Sequence, residues 1–217
     1  MDRERIFLFG MNSIARMIIG YLYDDLRYCL LGITVNKTYC DSDEYFGYPL
    51  IPFEEVIHKN RDFSMINCVG YSGQLETRIK IDSLIKENQI PLLTYIHPKA
   101  VVFNVEFGES NIVMNNSIIE QYSTVGNGNV FYGGSYICHD AKIGNYNWFS
   151  AKSTLAGEIT IGNRNFFGIN TSIKEKITIG SMATIGAGAV VIHDVPDCVL
   201  VVGNPAVVKR VNEYSKQ

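Results

Sequence analysis

Several features are scarce or missing in this 217-residue chain, and each absence excludes something. No run of 18 apolar residues occurs, which excludes a membrane-spanning helix. The five cysteines (Cys29, Cys40, Cys68, Cys138, Cys198) are dispersed, odd in number and without a C-x-x-C pair. That argues against a disulfide framework and a cysteine zinc cluster, and for a reducing, cytoplasmic setting. The opening residues, Met1-Asp2-Arg3-Glu4-Arg5, lack the apolar stretch of a secretory signal. Charge of neither sign dominates: Lys plus Arg number 19, Asp plus Glu number 22, and the formal net charge is −3. No basic excess points to a nucleic-acid partner, and no acidic tail marks a disordered chain. What remains is 47% hydrophobic, ample for a core. With 19 glycines, 13 tyrosines and 11 phenylalanines it leans towards strands and turns.

A six-residue beat fills the second half. From His97 to Ile192 the chain divides into hexads with no insertion, reading HPKAVV, FNVEFG, ESNIVM and so on to AGAVVI. The fifth slot is always a large apolar residue, from Val101 and Phe107 through Phe149 and Leu155 to Val191. The third slot is mostly small or amide-bearing, as at Asn111, Ser117, Ala141 and Ser153. Glycines at 108, 126, 144, 162 and 180 add a period of three hexads. Three hexads per turn make a three-sided coil of stacked parallel strands, about 4.8 Å apart and roughly 25 Å long in all. Fifth-slot side chains stack along the axis, and glycine, asparagine or aspartate serves the tight corners. A β-sandwich would show alternation broken by turns of varying length, not one phase throughout.

The first ninety residues read differently. Arg5–Phe9 is an apolar strand ending at Gly10, followed by helical spacing at Ile14, Ala15, Ile18, Ile19 and Leu22. Tyr28–Val35 and Met65–Val69 read as further strands. Gln74–Asn88 reads as a helix with Leu75, Ile79 and Ile85 on one face. This order is a truncated nucleotide-binding α/β unit. A full G-x-G-x-x-G is absent, because only Gly10 of the set is present. Asn12 and Ser13 still fall at a helix N-terminus, where free N–H groups attract anions or a side chain caps the helix. The expected division is residues 1–94 and residues 95–217, the latter ending in a short extension.

Of the four histidines (58, 97, 139 and 193), His139 stands within the repeat at slot one, a corner rather than the core. Its near-neutral pKa suits it to take a proton from an attacking amine or hydroxyl. A three-histidine zinc site, as in carbonic anhydrases on such a coil, finds too few histidines here, and no metal site emerges.

The two halves together resemble the hexapeptide-repeat acyltransferases. The nearest branch is that of acetyltransferases acting on nucleotide-linked amino sugars, with their sialic acid O-acetyltransferase relatives. The motifs carrying the resemblance are Tyr95-Ile96-His97-Pro98-Lys99-Ala100, Cys138-His139-Asp140-Ala141-Lys142-Ile143-Gly144, Leu155-Ala156-Gly157, Ile185-Gly186-Ala187-Gly188-Ala189, Asp194-Val195-Pro196 and Val202-Gly203-Asn204-Pro205-Ala206. The resemblance implies an α/β N-terminal nucleotide-binding domain followed by a left-handed parallel β-helix, assembled as a homotrimer with sites in the grooves between subunits. It implies acetyl-CoA-dependent N-acetylation of a UDP- or dTDP-linked 4-amino-deoxy sugar, for surface glycan or lipopolysaccharide synthesis. O-acetylation of a sugar such as sialic acid, and a non-catalytic scaffold that binds sugar nucleotides, are the alternatives. Acyl transfer from acyl carrier protein fits less well, because those relatives carry a helical domain after the coil and 207–214 leaves room only for a short element.

The same resemblance implies that His139 is the base, that Asp140 orients it, and that the Gly157 N–H of an adjacent subunit holds the oxyanion. Acetyl-CoA contacts fall on Trp148, Gly157, Ile169 and Ala187, with tryptophan standing where the family often has histidine. Sugar-nucleotide contacts fall on Asn12, Ser13, Val35, Asn36, Gly70 and Tyr71. Asn36 and Lys37 replace the acidic residues often found after the second strand.

Overall fold

The computed structural model describes residues 3–59, 62–71 and 75–211. Met1, Asp2, Gln74 and residues 212–214, which belong to features expected above, lie outside the described residues. The chain divides into two compact units, Met1–Leu93 and Thr94–Gln217.

The first unit contains β1 (Glu4–Phe9), α1 (Ser13–Leu22), β2 (Tyr28–Val35), β3 (Glu44–Tyr45), β4 (Tyr48–Pro52), α2 (Phe53–Val56), β5 (Ser64–Asn67) and α3 (Glu76–Glu87). The sheet order is β3-β4-β2-β1-β5, parallel except for the β3–β4 hairpin. Ile6 to Phe9 are all buried, as expected of a parallel strand covered on both faces. The hairpin escapes the sequence reading because β4 carries Pro49 and Pro52 and shows no alternation.

Of the apolar face expected on helix α3, Leu75 at its N-cap and Ile85 turn inward, but the buried side extends beyond it. Arg78, Ile81, Asp82 and Ile85 are its buried residues, while Ile79 is only half-buried. The polar pair enters the interior because it has partners there. Asn67 Nδ2 donates to Asp82 Oδ1 at 2.8 Å and to the Arg78 carbonyl at 3.0 Å. Arg78 Nη1 in turn donates to the carbonyls of Asn67 and Val69. Buried polar groups held by internal hydrogen bonds are invisible to a hydrophobic pattern.

The second unit is the three-sided coil, whose stacked coil strands are all parallel. One face stacks the strands Val101–Val102, Ile118–Ile119, Tyr136–Ile137, Thr154–Leu155, Ser172–Ile173 and Val190–Val191. A second stacks Glu106–Phe107, Thr124–Val125, Lys142–Ile143, Thr160–Ile161 and Thr178–Ile179. The third runs from Tyr95–Ile96 through Trp148–Phe149 to Val199–Gly203, and closes with antiparallel Ala206–Val211. Fifth-slot residues from Val113 to Val191 form one continuous buried core. Phe131, Phe149 and Phe167 stack within it, with ring centroids 4.6 and 4.7 Å apart.

Two readings of the repeat need correction. In the first coil Val102, not Val101, is in register with Ile119, and Val101 is 58% exposed. The corner between Val102 and Glu106 is one residue shorter than its successors, so the beat locks into phase only at Phe107. The second correction concerns why glycine recurs every 18 residues. Gly108, Gly126, Gly144, Gly162 and Gly180 do not have positive φ. A Cβ on Gly144 would lie 2.6 Å from both Asn163 Oδ1 and the Gly162 carbonyl, so close approach of successive coils excludes a side chain. The left-handed turn belongs to slot two instead, at Asn104, Ser110, Asn116, Tyr122, Asp140 and their equivalents, with φ of 49–62° for these residues.

Slot three carries a buried asparagine ladder. Oδ1 of Asn111, Asn129, Asn147 and Asn165 accepts the backbone N–H of Asn129, Asn147, Asn165 and Ala183 respectively, at 2.7–2.9 Å. Each amide also donates to a glycine carbonyl one coil on, from Gly126 to Gly180. Thr94 Oγ1 takes the Asn111 N–H and begins the series.

Candidate active site

The corner after Tyr136–Ile137 carries the site's chemistry. Asp140 has φ of +58°, and this left-handed turn swings its side chain beside that of the preceding residue. Two neighbours that would diverge along a strand therefore meet: His139 Nδ1 lies 2.8 Å from Asp140 Oδ2. Both side chains are half-exposed, at 51%. The coil ladder fixes the backbone on either side, with the Asp140 N–H donating to the Gln121 carbonyl and the Glu158 N–H to the His139 carbonyl.

Gly157 stands one coil on in the same corner column and is buried. A Cβ there would lie 2.8 Å from His139 Cε1 and Nε2, so the imidazole rests against bare backbone. Asp140 is the main reason the His139 pKa is raised: its carboxylate bonds the ring and favours the cation, with Glu120 and Glu158 adding to the field. A carboxylate on Nδ1 favours the tautomer that leaves the Nε2 lone pair open. Beside the corner, Tyr122, Asp140, Lys142, Glu158 and Thr160 line a hollow of about 470 Å³.

The remaining coil residues expected to function do not gather at this corner. Ile169 and Ala187 are exposed and stack at the next corner, across the face that contains Tyr136–Ile137. Trp148 lies on the third face, buried against Tyr132 at a ring separation of 5.3 Å. Sequence reading missed Glu120 and Tyr136. Glu120 Oε2 accepts the His139 backbone N–H at 3.1 Å, and Oε1 accepts the Tyr136 hydroxyl. The 18-residue coil period was the signal that brings residue 120 beneath residue 139.

In the first unit, Asn12, Asn36 and Gly70 follow β1, β2 and β5, three adjacent parallel strands, at their carboxyl ends. That edge is where open α/β sheets take ligands. Gly10, with φ of +120°, makes the turn after β1. Asn12 caps α1 through Oδ1, which accepts from Ile14 and Ala15, and its Nδ2 donates to the Cys68 carbonyl at 2.8 Å. Its amide is thus committed to tying the β1 and β5 loops together. Ser13 and Tyr71 are exposed, Asn36 and Gly70 half-exposed, and Val35 buried.

The hexad register and the three stacked faces define a three-sided parallel β-helix. No family model and no curated protein matches the chain. Solved structures do match. PerB from Caulobacter crescentus, solved with CoA and GDP-perosamine, is 26% identical over 94% of this chain and 97% of its own, with a TM-score of 0.84. A histidine-to-asparagine mutant of the perosamine N-acetyltransferase from the same organism, with the same two ligands, is 25% identical, covers 94% and 96%, and has a TM-score of 0.84. The acetyltransferase domain of PglB from Neisseria gonorrhoeae, at 22% identity, covers 95% and 100% with a TM-score of 0.84 and shares the fold. Over nearly its whole length the chain is similar to these left-handed β-helix acetyltransferases with hexapeptide repeats, and it is an acyltransferase.

Proposed function

We propose that this protein transfers an acetyl group from acetyl-CoA to the amine of a sugar carried on a nucleoside diphosphate. The observation that carries the reading is the exposed His139 imidazole, held on Nδ1 by Asp140 and seated against Gly157. In the step, the amine nitrogen attacks the thioester carbonyl, a C–N bond forms, and His139 Nε2 takes the amine proton. The tetrahedral intermediate then expels the CoA thiolate as the C–S bond breaks, and the imidazolium returns the proton to sulfur. The backbone N–H of Gly157 from a neighbouring copy holds the oxyanion in this reading. Ser13, Asn36 and Tyr71 are the residues of the first unit that meet the sugar nucleotide, while Asn12 shapes their loops.

A homotrimer belongs to the proposal. Within one chain His139 and the Ile169–Ala187 column occupy different corners, and a groove between two copies is the arrangement that serves one acetyl-CoA with both. Ile169 and Ala187 are exposed along their corner, a site for the extended pantetheine arm in this reading. The test offers acetyl-CoA with UDP-, dTDP- and GDP-linked 4-amino sugars and with free sialic acid, and reads thiol release. Acetylation of an amino-sugar nucleotide is expected. Thiol release with sialic acid alone, or with no acceptor, overturns the reading.

The Asp140 contact gives a pH prediction. A base must be neutral to accept a proton, so kcat/KM rises through the raised His139 pKa, and its acid limb lies above the ordinary histidine value of about 6.5. In Asp140→Asn the largest cause of that rise is gone, so the limb moves to lower pH. The plateau falls about tenfold as the ring loses its orientation. A pH–rate profile with an unmoved acid limb would refute the role of Asp140.

A further inference from the structure

We propose that Glu120 is a positioning residue for His139, gripping the backbone of the base from the coil below and setting a second carboxylate against it. The proposal rests on the reading of His139 as the base. Glu120 occupies slot six of the coil preceding His139, on the outer side of the face that carries Tyr136. Its two oxygens do separate work, one accepting the His139 N–H at 3.1 Å and the other the Tyr136 hydroxyl.

The first of these bonds answers a need of the fold. The coil ladder takes up the slot-two, slot-four and slot-six N–H groups around this corner, as at Asp140, Tyr136 and Cys138. Slot-one N–H groups are met differently. At the corner after the second face, Asn127, Asn145 and Asn163 accept them through Oδ1, at Glu109, Asn127 and Asn145. At the His139 corner, Glu120 does this with a carboxylate. At this level of the coil the corner thus gains a charge where its counterpart has a neutral amide, a carboxylate entering that other series only at its end, where Asp197 accepts the Ser181 N–H.

The second bond keeps the carboxylate aimed. Its hydrogen bond to Glu120 pushes the Tyr136 phenol up to about 12, so the hydroxyl remains a donor over the whole working range. The groups facing His139 are then Asp140 on its own corner, Glu120 and Tyr136 from the first face, Cys138 as its chain neighbour, and Glu158 from the next coil. Lys176 lies 3.6 Å from Glu158 and offsets part of that last charge. Asp140 orients the ring, and Glu120 orients the backbone that bears it.

The experiment uses the full-length protein. NMR follows the His139 ring through a pH titration in wild type, Glu120→Gln and Glu120→Ala, with His139→Ala identifying the signal. Glutamine keeps an acceptor for the N–H but removes the charge. The expected result is a lower titration midpoint in Glu120→Gln, matched by an acid limb of kcat/KM at lower pH. Glu120→Ala loses about tenfold in kcat, which Glu120→Gln largely restores, with KM for acetyl-CoA within about twofold of wild type. An unchanged His139 midpoint in Glu120→Gln overturns the proposal. If Glu120→Ala does not fold, the Glu120→Gln titration alone decides. Full activity in His139→Ala would instead remove the base reading, and the titration distinguishes that outcome.

Discussion

Replacing His139 with alanine is expected to lower kcat by about 10²–10⁴, the usual worth of a positioned general base. The ring is half-exposed at a corner and packs into no core cluster, so its loss removes chemistry rather than structure. The melting temperature and acetyl-CoA binding by calorimetry should therefore match wild type. The loss should persist at saturating substrate, because the proton is taken in the transition state and not on binding. Activity within threefold of wild type would show that another group accepts the proton.

The second large effect is on stability. Phe149 is fully buried between Phe131 and Phe167, with ring planes within 4° and 12° of parallel. Strand spacing imposes this stacking, since identical slots in successive coils lie about 4.8 Å apart. The core cannot easily collapse on a missing ring, because each neighbouring strand is pinned by its own ladder. Phe149→Ala should cost about 3–5 kcal/mol, lowering Tm by roughly 10 °C. Phe149→Leu, which keeps much of the volume, should lose far less. Thermal and urea unfolding measure both. A loss below about 1 kcal/mol for the alanine variant would mean that the phenylalanine stack contributes little.

Much of the coil was legible because its register repeats along the chain itself. The fifth-slot residues from Phe107 to Val191 point inward as the beat predicts. The beat failed at Val101, where one short corner shifts the phase while both flanking residues remain valines and periodicity has nothing to choose between. The 18-residue glycines were correctly found and wrongly explained, because a clash with the next coil leaves no mark on local conformation. In the first unit, Tyr28–Val35 was read in full, since an apolar run of this length, with Ile33, Thr34 and Val35 at its end, favours a strand over a helix. The inner face of α3 was read only in part, at Leu75 and Ile85, because Arg78 and Asp82 are buried through Asn67 on β5.

At the site, His139 and Asp140 were legible as adjacent corner residues, and the turn at Asp140 converts that adjacency into contact. Glu120 was not, because its nearness depends on a full coil of chain lying between it and the base.

The asparagine ladder has a consequence for the size of the molecule. Every rung hands the same pair of bonds to the next, so a coil in the middle is interchangeable with its neighbours, and only Thr94 and Ala183 mark the two ends. Length is then quantised. Deleting residues 130–147, one whole coil with its asparagine, or duplicating them would leave every rung made, whereas a change of 17 would strand an amide in a dry interior. Such a molecule grows or shrinks by whole storeys, and a corner chemistry like that of His139 can be carried up or down the tower without redrawing the floor plan.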